Sequence, residues 1–315
     1  MIKLAECTHP NFKKSGKTKA GTQRFKCKDC GKRFIDESTK PLGKMRIDPK
    51  QAMMAINMLL EGMSVRATAR LTGLDAGTIG DLILTVGEKC EHILRHNIVD
   101  VPATEIQLDE IWSFVGMKAK QAKKQEDPSM GDSWTYIAID RDTKLVLSHH
   151  VGRRDQVDTE RFLSKLRKSI DQNTRVHVST DGWNAYRYGV PFALGSNIDY
   201  GMLIKQYAST HEVTRYSPAQ IIRAEKQAVF GRPDFDKICT SHIESFNQTY
   251  RQQLKRFSRL TNAHSKSLEH HEAMQAIYMA SYNFCRKHSS LDKQTPAMAA
   301  GLSFNPLSLL ELLTG

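Results

Sequence analysis

The sequence predicts a multidomain protein: a small basic module stapled by metal, an all-α segment, and a larger α/β domain built on a mixed sheet. Three observations predict it. A C-x2-C knuckle, Cys27 to Cys30, lies in a Lys/Gly/Thr-rich stretch whose first part has no helical or strand periodicity. From Asp48 to about Leu94 the apolar residues recur at helical spacing. From about Ala103 onward, strand-like runs are followed by helical ones. The expected units are 1–46, 47–98 and 103–300, with a tail at 301–315.

Length and charge bound the function. A chain of 315 residues with 40% apolar content can bury a sizeable core. No apolar run approaches the roughly 18 residues of a membrane span, and no signal-peptide stretch opens the chain, so a cytoplasmic protein is expected. The formal charge of +12 favours an acidic polymer as partner, because each phosphate neutralised releases condensed counterions. Residues 1–50 hold fourteen Lys/Arg against five Asp/Glu. This arm, with Arg24, Lys26, Lys32 and Arg33 around the knuckle, is the expected docking surface for such a polymer, double-stranded DNA among the candidates, although basic charge alone would also suit a ribosomal or membrane-surface protein.

The knuckle comes first in the chain. Cys27 and Cys30, followed by Gly31, can close a tetrahedral structural Zn2+ site with Cys7 and His9 about twenty residues upstream. Cys7 with His9 is an irregular partner, and the alternative is a pair of unliganded thiols on a basic tail. The six cysteines of a long chain without a secretion signal argue against a disulfide framework.

In the helical segment, Ala52, Ile56, Leu59 and Leu60 share one face of a first helix. "EGMSVRATARLTGLDAGTIGDLIL" then has the form of a helix-turn-helix: Ser64 as N-cap, Gly73 for a left-handed turn, Leu74 as plug, Asp75 capping the next helix. Thr78, Ile79 and Asp81 would lie on or near a helix entering the major groove. An ordinary helical hairpin is the alternative.

The third segment opens with "TEIQLDEIWSFVG" as a strand, a polar loop, and the hairpin "SWTYIAIDRDTKLVLSHHVG". A helix from Thr159 to Ile170, the strands "RVHVSTD" and "DYGMLIKQYA", and two or more closing helices complete a mixed sheet with helical flanks. The stretch "RYSPAQIIRAEKQAVFGRPDFDKICT" has no assignable pairing.

Three carboxylates stand out. Asp109 is mid-strand in an apolar run, where a charge is costly unless a cation compensates it. Asp181 ends a strand before Gly182, a position where ligand sites gather in α/β folds, though Asp-Gly turns look the same. Glu244 closes the S-x-x-E pattern that starts at Ser241, so it reads equally as a capping box. The helix it opens carries two stripes: Ile243, Phe246, Tyr250, Leu254 and Phe257 for the core, and Glu244, Asn247, Gln248, Arg251 and Lys255 for a metal and then a phosphate backbone. Three such carboxylates can hold two Mg2+ or Mn2+ ions roughly 3.5–4 Å apart for in-line displacement at phosphorus. Glu110 points to the opposite face of the strand and is secondary; Asp140 reads as a turn residue, His242 as either a neighbour of the metals or a solvent-facing residue by the cap. Trp112, Trp134 and Trp183 read as core rings, and Cys90, Cys239 and Cys285 as isolated thiols.

"LDEIWSFVGMKAKQ", "WTYIAIDRDTKLVLSHHVGRRD", "STDGWNAY" and "HIESFNQTYRQQLKRFSRLTNAHSKS" together resemble the transposases of the insertion sequence one (IS-one) family. The closing "YNFCRKHSSLDKQTPAMAAG" is similar to the terminal segment of many integrase-like transposases. The resemblance implies a zinc-binding segment and a helix-turn-helix ahead of an RNase H-like, retroviral integrase-like catalytic domain. It places the D-D-E triad on Asp109, Asp181 and Glu244 and a basic partner on Arg251. It further implies strand cleavage and transfer at terminal inverted repeats and target DNA, by a homo-oligomer near the nucleoid of a prokaryotic cell. The rivals are a transposase-derived DNA-binding regulator without cleavage activity and a structure-selective nuclease of the same fold.

Overall fold

A computed structural model describes residues 10–17, 23–35, 42–43, 45–122, 124, 127, 129–207, 221–258 and 262–314. Its first strands, β1 (Phe12–Lys17), β2 (Gln23–Cys27) and β3 (Arg33–Ile35), form an antiparallel sheet in that order. Register explains its two faces. Phe12 pairs with Cys27 and Phe25 with Phe34, and the three phenylalanine rings meet with centroids 5.1–5.9 Å apart. Lys13, Lys26 and Arg33 are register partners, one cation on each strand. Between β2 and β3 the knuckle is a tight turn, closed by Gly31 N–H donating to Cys27 O at 3.2 Å. Gly31 sits at φ 74°, a conformation that suits glycine. Cys27 is buried and Cys30 exposed, while Cys7 and His9 lie outside the described residues.

Helix α1 (Pro49–Leu60) starts as its sequence dictates: Asp48 accepts from Lys50 N–H at 2.8 Å and Pro49 takes the first turn, where its missing N–H costs nothing. Helix α2 (Val65–Thr72) is capped by Ser64, accepting from Ala67 N–H at 3.2 Å, and ends on Gly73 at φ 71°. Asp75 then caps α3 (Ala76–Asn97), accepting from Gly77 N–H at 2.7 Å. The expected caps and the left-handed turn are therefore where the sequence puts them.

The large sheet has the order β6-β5-β4-β7-β8-β9. Strand β4 (Glu105–Val115) leads through the short helix α4 (Ala119–Ala122) to β5 (Gly131–Asp140) and β6 (Val146–Gly152), an antiparallel meander. Helix α5 (Gln156–Ser169), capped by Asp155, crosses to β7 (Val176–Asp181), which pairs in parallel with β4. Helix α6 (Asn184–Leu194) leads to β8 (Ile198–Tyr207), parallel to β7, and the edge is β9 (Ile221–Phe230), antiparallel to β8. Helices α7 (Ser241–Gln253), α8 (Leu268–Ala280), α9 (Pro296–Ala299) and α10 (Leu309–Thr314) close the chain.

Side-chain alternation assigns the layers. On one face Tyr136 packs on Phe162 of α5; on the other, Thr135 donates to Gln275 of α8 at 2.7 Å. Helices α5 and α6 thus cover one side, α7 and α8 the other. One apolar cluster runs from Ile56 and Ile79 through the sheet to Met274 and Ile277, joining the helical segment to the α/β unit. Gly87 permits that junction: a Cβ there would lie 2.5 Å from Ala273 Cβ on α8. The stretch that had no assignable pairing supplies β9, whose polar residues and exposed faces leave no period-2 signal.

Candidate active site

Asp109 and Asp181 come together because β4 and β7 are parallel neighbours, with Leu108 paired to Thr180 just before them. Oxygens of Asp109, Glu110 and Asp181 all lie within 4.8 Å of one another. Two odd-numbered polar residues of β4, Gln107 and Asp109, fix α7 against the strand. Gln107 Oε1 accepts Ile243 N–H at 3.0 Å, satisfying one of the orphan donors of the first helical turn, and Asn247 Nδ2–H donates to Asp109 Oδ2 at 2.7 Å. Asp109 Oδ1 accepts Glu110 N–H at 2.8 Å. Burial, followed by the Asp181 carboxylate, pushes Asp109 up to about 6, with Glu244 adding to the rise and the two donors opposing it.

Glu244 stands at the rim rather than inside that cluster. Its Oε1 accepts from Thr240 Oγ1 at 2.5 Å and pairs with Lys205 of β8, and nearly half of its side chain is exposed, at 46%. The capping-box alternative fails for a simple reason: the N-cap is Thr240, not Ser241, so Glu244 falls one position too late to close the box. The apolar stripe Ile243, Phe246, Tyr250, Leu254 and Phe257 is buried as expected. The polar stripe is shorter than expected. Helix α7 stops at Gln253, and Lys255 opens a 3-10 turn, Lys255–Phe257, off the helix that carries Glu244. Arg251 remains on α7, donating to Trp112 O at 3.3 Å, and Lys255 is exposed.

Glu110 does point to the other face, yet it belongs to the cluster. Its carboxylate is buried, at 1% side-chain exposure, beside the Tyr186 hydroxyl of α6, with Arg154 Nη2 at 3.2 Å from its Oε2. Burial first, then Asp181, push it up to about 8, against the pull of Tyr186 and Arg154. Arg154 also reaches Asp181 Oδ2 at 3.6 Å and lies over the rings of Trp183 and Trp134, 4.2 and 4.8 Å from their centroids. Asp181 Oδ1 accepts Trp183 N–H at 2.9 Å. Sequence reasoning missed Arg154, Lys205 and Thr240; the tandem Arg153-Arg154 was the available signal, and Lys205 had none beyond its place in a strand. The tryptophans expected in the core are half-buried, and two of them hold Arg154.

The remaining candidates fall elsewhere. Asp140 is a turn residue, accepting Thr143 N–H at 3.0 Å, and His242 Nδ1 approaches Lys144 Nζ at 3.2 Å. Thr78 is half-buried on the first turns of α3. Neighbouring Gly77 and Asp81 line a cleft of about 960 Å³ whose other wall includes Lys255, Lys266 and His270.

The donor set fits hard divalent cations: carboxylate oxygens gather at the end of a parallel strand pair, without a thiol. Asn247 Oδ1 is buried with no hydrogen-bond partner among the described residues, an acceptor left over for a water beside Asp109.

Two family models match this chain. Residues 103–196 match one described as IS1 transposase, and residues 240–296 match one described as Integrase core domain. Insertion element IS1 protein InsB of Shigella flexneri is 25% identical over 173 residues, covering 55% of this chain and 92% of that relative. Insertion element IS1 4 protein InsB of Escherichia coli (strain K12) is 25% identical over 173 residues, 55% of this chain and 72% of the relative. The resemblance read from the motifs is borne out, and the mixed sheet with its flanking helices fits an integrase core. Among the described residues no helix is long and apolar enough to cross a membrane.

Proposed function

From the premise of its resemblance to IS1-family transposases, we propose that this protein is a DDE transposase that cuts an element's terminal inverted repeats and joins their 3′ ends to target DNA. The observation that carries the reading is the joining of three chain segments at one point. Asp109 and Asp181 meet on adjacent strands, and α7, which carries Glu244, is tied to Asp109 by Asn247.

Asp109, Asp181 and Glu244 would hold the divalent ions. Bound Mg2+ or Mn2+ supplies activation of a water or 3′-hydroxyl and stabilises the leaving oxygen in an in-line displacement. The chain's own part is orientation and exclusion of water. Asn247 and the Glu110 backbone N–H hold both oxygens of Asp109, and burial of that carboxylate strengthens its attraction for a cation. Lys205 balances Glu244 from β8.

DNA is gripped, in this reading, along three surfaces. The cross-strand row Lys13, Lys26, Arg33 sets like charges side by side, an arrangement that repels itself unless a polyanion lies across it. Arg24 and Lys32 extend the same module, 1–46, which Zn2+ on Cys27 and Cys30, with Cys7 and His9, would staple. The helix-turn-helix of 47–98 presents Thr78, and Arg251 and Lys255 line the way out from the catalytic unit, 103–300, ahead of the tail at 301–315. Two ends must be joined, so the working form is a homo-oligomer.

Purified protein with Mg2+ and a duplex carrying the element's end should nick that duplex. Asp109→Asn and Glu244→Gln should each abolish nicking while leaving the circular dichroism unchanged; undiminished nicking by Asp109→Asn would sink the reading. For the staple, one zinc per chain by elemental analysis, lost in Cys30→Ser, is the expected result.

A further inference from the structure

Arg154 is held more tightly than a surface arginine needs to be. Its neighbour Arg153 spends its guanidinium on backbone carbonyls, Met130 O at 2.8 Å and Asp132 O, while Tyr136 Oη–H donates to Arg153 O at 2.7 Å. Asp155 caps α5 on the other side, accepting Asp158 N–H at 2.9 Å. The backbone that launches Arg154 is thus anchored before and after it. The guanidinium itself lies over two indole rings, with its centre 4.8 Å from the centroid of Trp134 and 4.2 Å from that of Trp183. A planar, weakly hydrated cation suits that slot, and a compact ammonium does not. From it, one nitrogen faces Glu110 Oε2 at 3.2 Å and Asp181 Oδ2 at 3.6 Å.

Asp181 is consequently oriented at both oxygens, Oδ1 by Trp183 N–H and Oδ2 toward Arg154, so Trp183 serves it twice, through its amide and through its ring. Glu110, by contrast, is tied into the α6 side of the sheet. We propose that Arg154 is a positioning residue for the metal-holding carboxylates: it sets the rotamer of Asp181 and keeps Glu110 engaged as its own ion-pair partner, so that divalent ions are shared by Asp109, Asp181 and Glu244. This rests on the reading of those three as the metal-holding set.

The sign of one measurement separates positioning from simple charge. A cation beside the carboxylates repels an incoming dication, so a purely electrostatic Arg154 predicts tighter metal binding when the charge is removed. Positioning predicts weaker binding, by the roughly 10–100-fold that loss of an outer partner costs a metal site.

Mn2+ binding to the full chain, followed by electron paramagnetic resonance or calorimetry, reads this without requiring catalysis. Arg154→Gln should weaken Mn2+ binding by about tenfold or more, and Arg154→Lys, which keeps the charge but not the slot, should restore only part of it. Glu110→Gln/Arg154→Gln replaces both partners of the pair; it should recover thermal stability relative to Arg154→Gln yet keep the weak Mn2+ binding, and it decides the matter if the single variant does not fold. Unchanged or tighter Mn2+ binding in the folded glutamine variants overturns the proposal, as does full recovery by Arg154→Lys. A wild-type chain that binds Mn2+ but cuts no DNA overturns the transposase reading alone. One that binds no Mn2+ overturns both.

Discussion

Asn247, one turn into helix α7 past Glu244, donates its amide to Asp109 Oδ2 at 2.7 Å and so joins the last candidate carboxylate's helix to the first carboxylate's strand. The bond also favours the ionised form of Asp109 against the burial that pushes it up to about 6. Asn247→Ala should therefore raise that value further and let protons compete better with the cation. Nicking at pH 7 should fall by about 10–100-fold, the range typical of lost outer partners, and the acid limb of the pH profile should move upward. A profile that keeps its midpoint while the rate falls would mean that Asn247 merely packs.

Lys255 is exposed on a 3-10 turn beside the cleft, off the helix that carries Glu244. As a phosphate contact it should act through counterion release and carry no sequence preference. Lys255→Ala should reduce the slope of log affinity against log salt by about 1, equally for element ends and unrelated duplex. Filter binding across a salt series measures it; an unchanged slope removes Lys255 from the DNA path.

Gly87 sits where α3 crosses α8, and a Cβ there would come within 2.5 Å of Ala273 Cβ and 2.8 Å of its carbonyl oxygen. Glycine inside a helix costs about 1 kcal/mol relative to alanine, so on propensity alone Gly87→Ala should stabilise. The clash reverses the sign, and overpacking of this kind costs about 1–3 kcal/mol. Gly87→Ala should melt several degrees lower, with partial recovery in Gly87→Ala/Ala273→Gly. A higher melting temperature for the single variant would show that the two helices separate freely.

Much of this was legible in the residues, for local reasons. Ser64, Gly73 and Asp75 act within a few residues of themselves, so their roles survive any tertiary arrangement. Asp109 and Asp181 could be singled out because a charge in or at the end of an apolar strand demands an explanation. What stayed hidden depends on partners far along the chain. Lys205 meets Glu244 from 39 residues away, and Arg154 acquires its role only when Trp134, Trp183, Glu110 and Asp181 fold around it. Strand β9 is exposed along most of its length and pairs on one edge, so its residues never had to alternate. The break after Gln253 was hidden too, because Leu254 and Phe257 keep the helical stripe in sequence while the backbone leaves the helix.

His271 of α8 is fully buried and lies in a hydrogen-bond chain whose direction can be worked out. Ser113 Oγ–H donates to Ser133 O at 3.1 Å, so Ser113 Oγ accepts from His271 Nε2–H, also at 3.1 Å. Nδ1 must then accept, and Ser265 Oγ–H supplies the donor at 2.8 Å, while Ser265 Oγ itself accepts from Arg256 Nη1 at 3.1 Å. Only neutral imidazole completes this chain; a second ring proton would point at a hydroxyl already facing Arg256. Burial, aided by Arg256, lowers His271 from 6.5 to about 3. A base depressed in the folded state leaves the unfolded chain binding the extra proton, so its contribution is full above pH 6.5 and is lost as pH falls toward 3. At about 1.4 kcal/mol per unit, the share lost between pH 7 and pH 5 is about 2 kcal/mol. His271→Gln should cost about 1–3 kcal/mol at pH 7 through the broken chain, and the gap to wild type should shrink at pH 5 because glutamine does not titrate. Urea unfolding of both proteins at the two pH values measures the gap, and one that stays constant would show that folding leaves the His271 pKa unshifted.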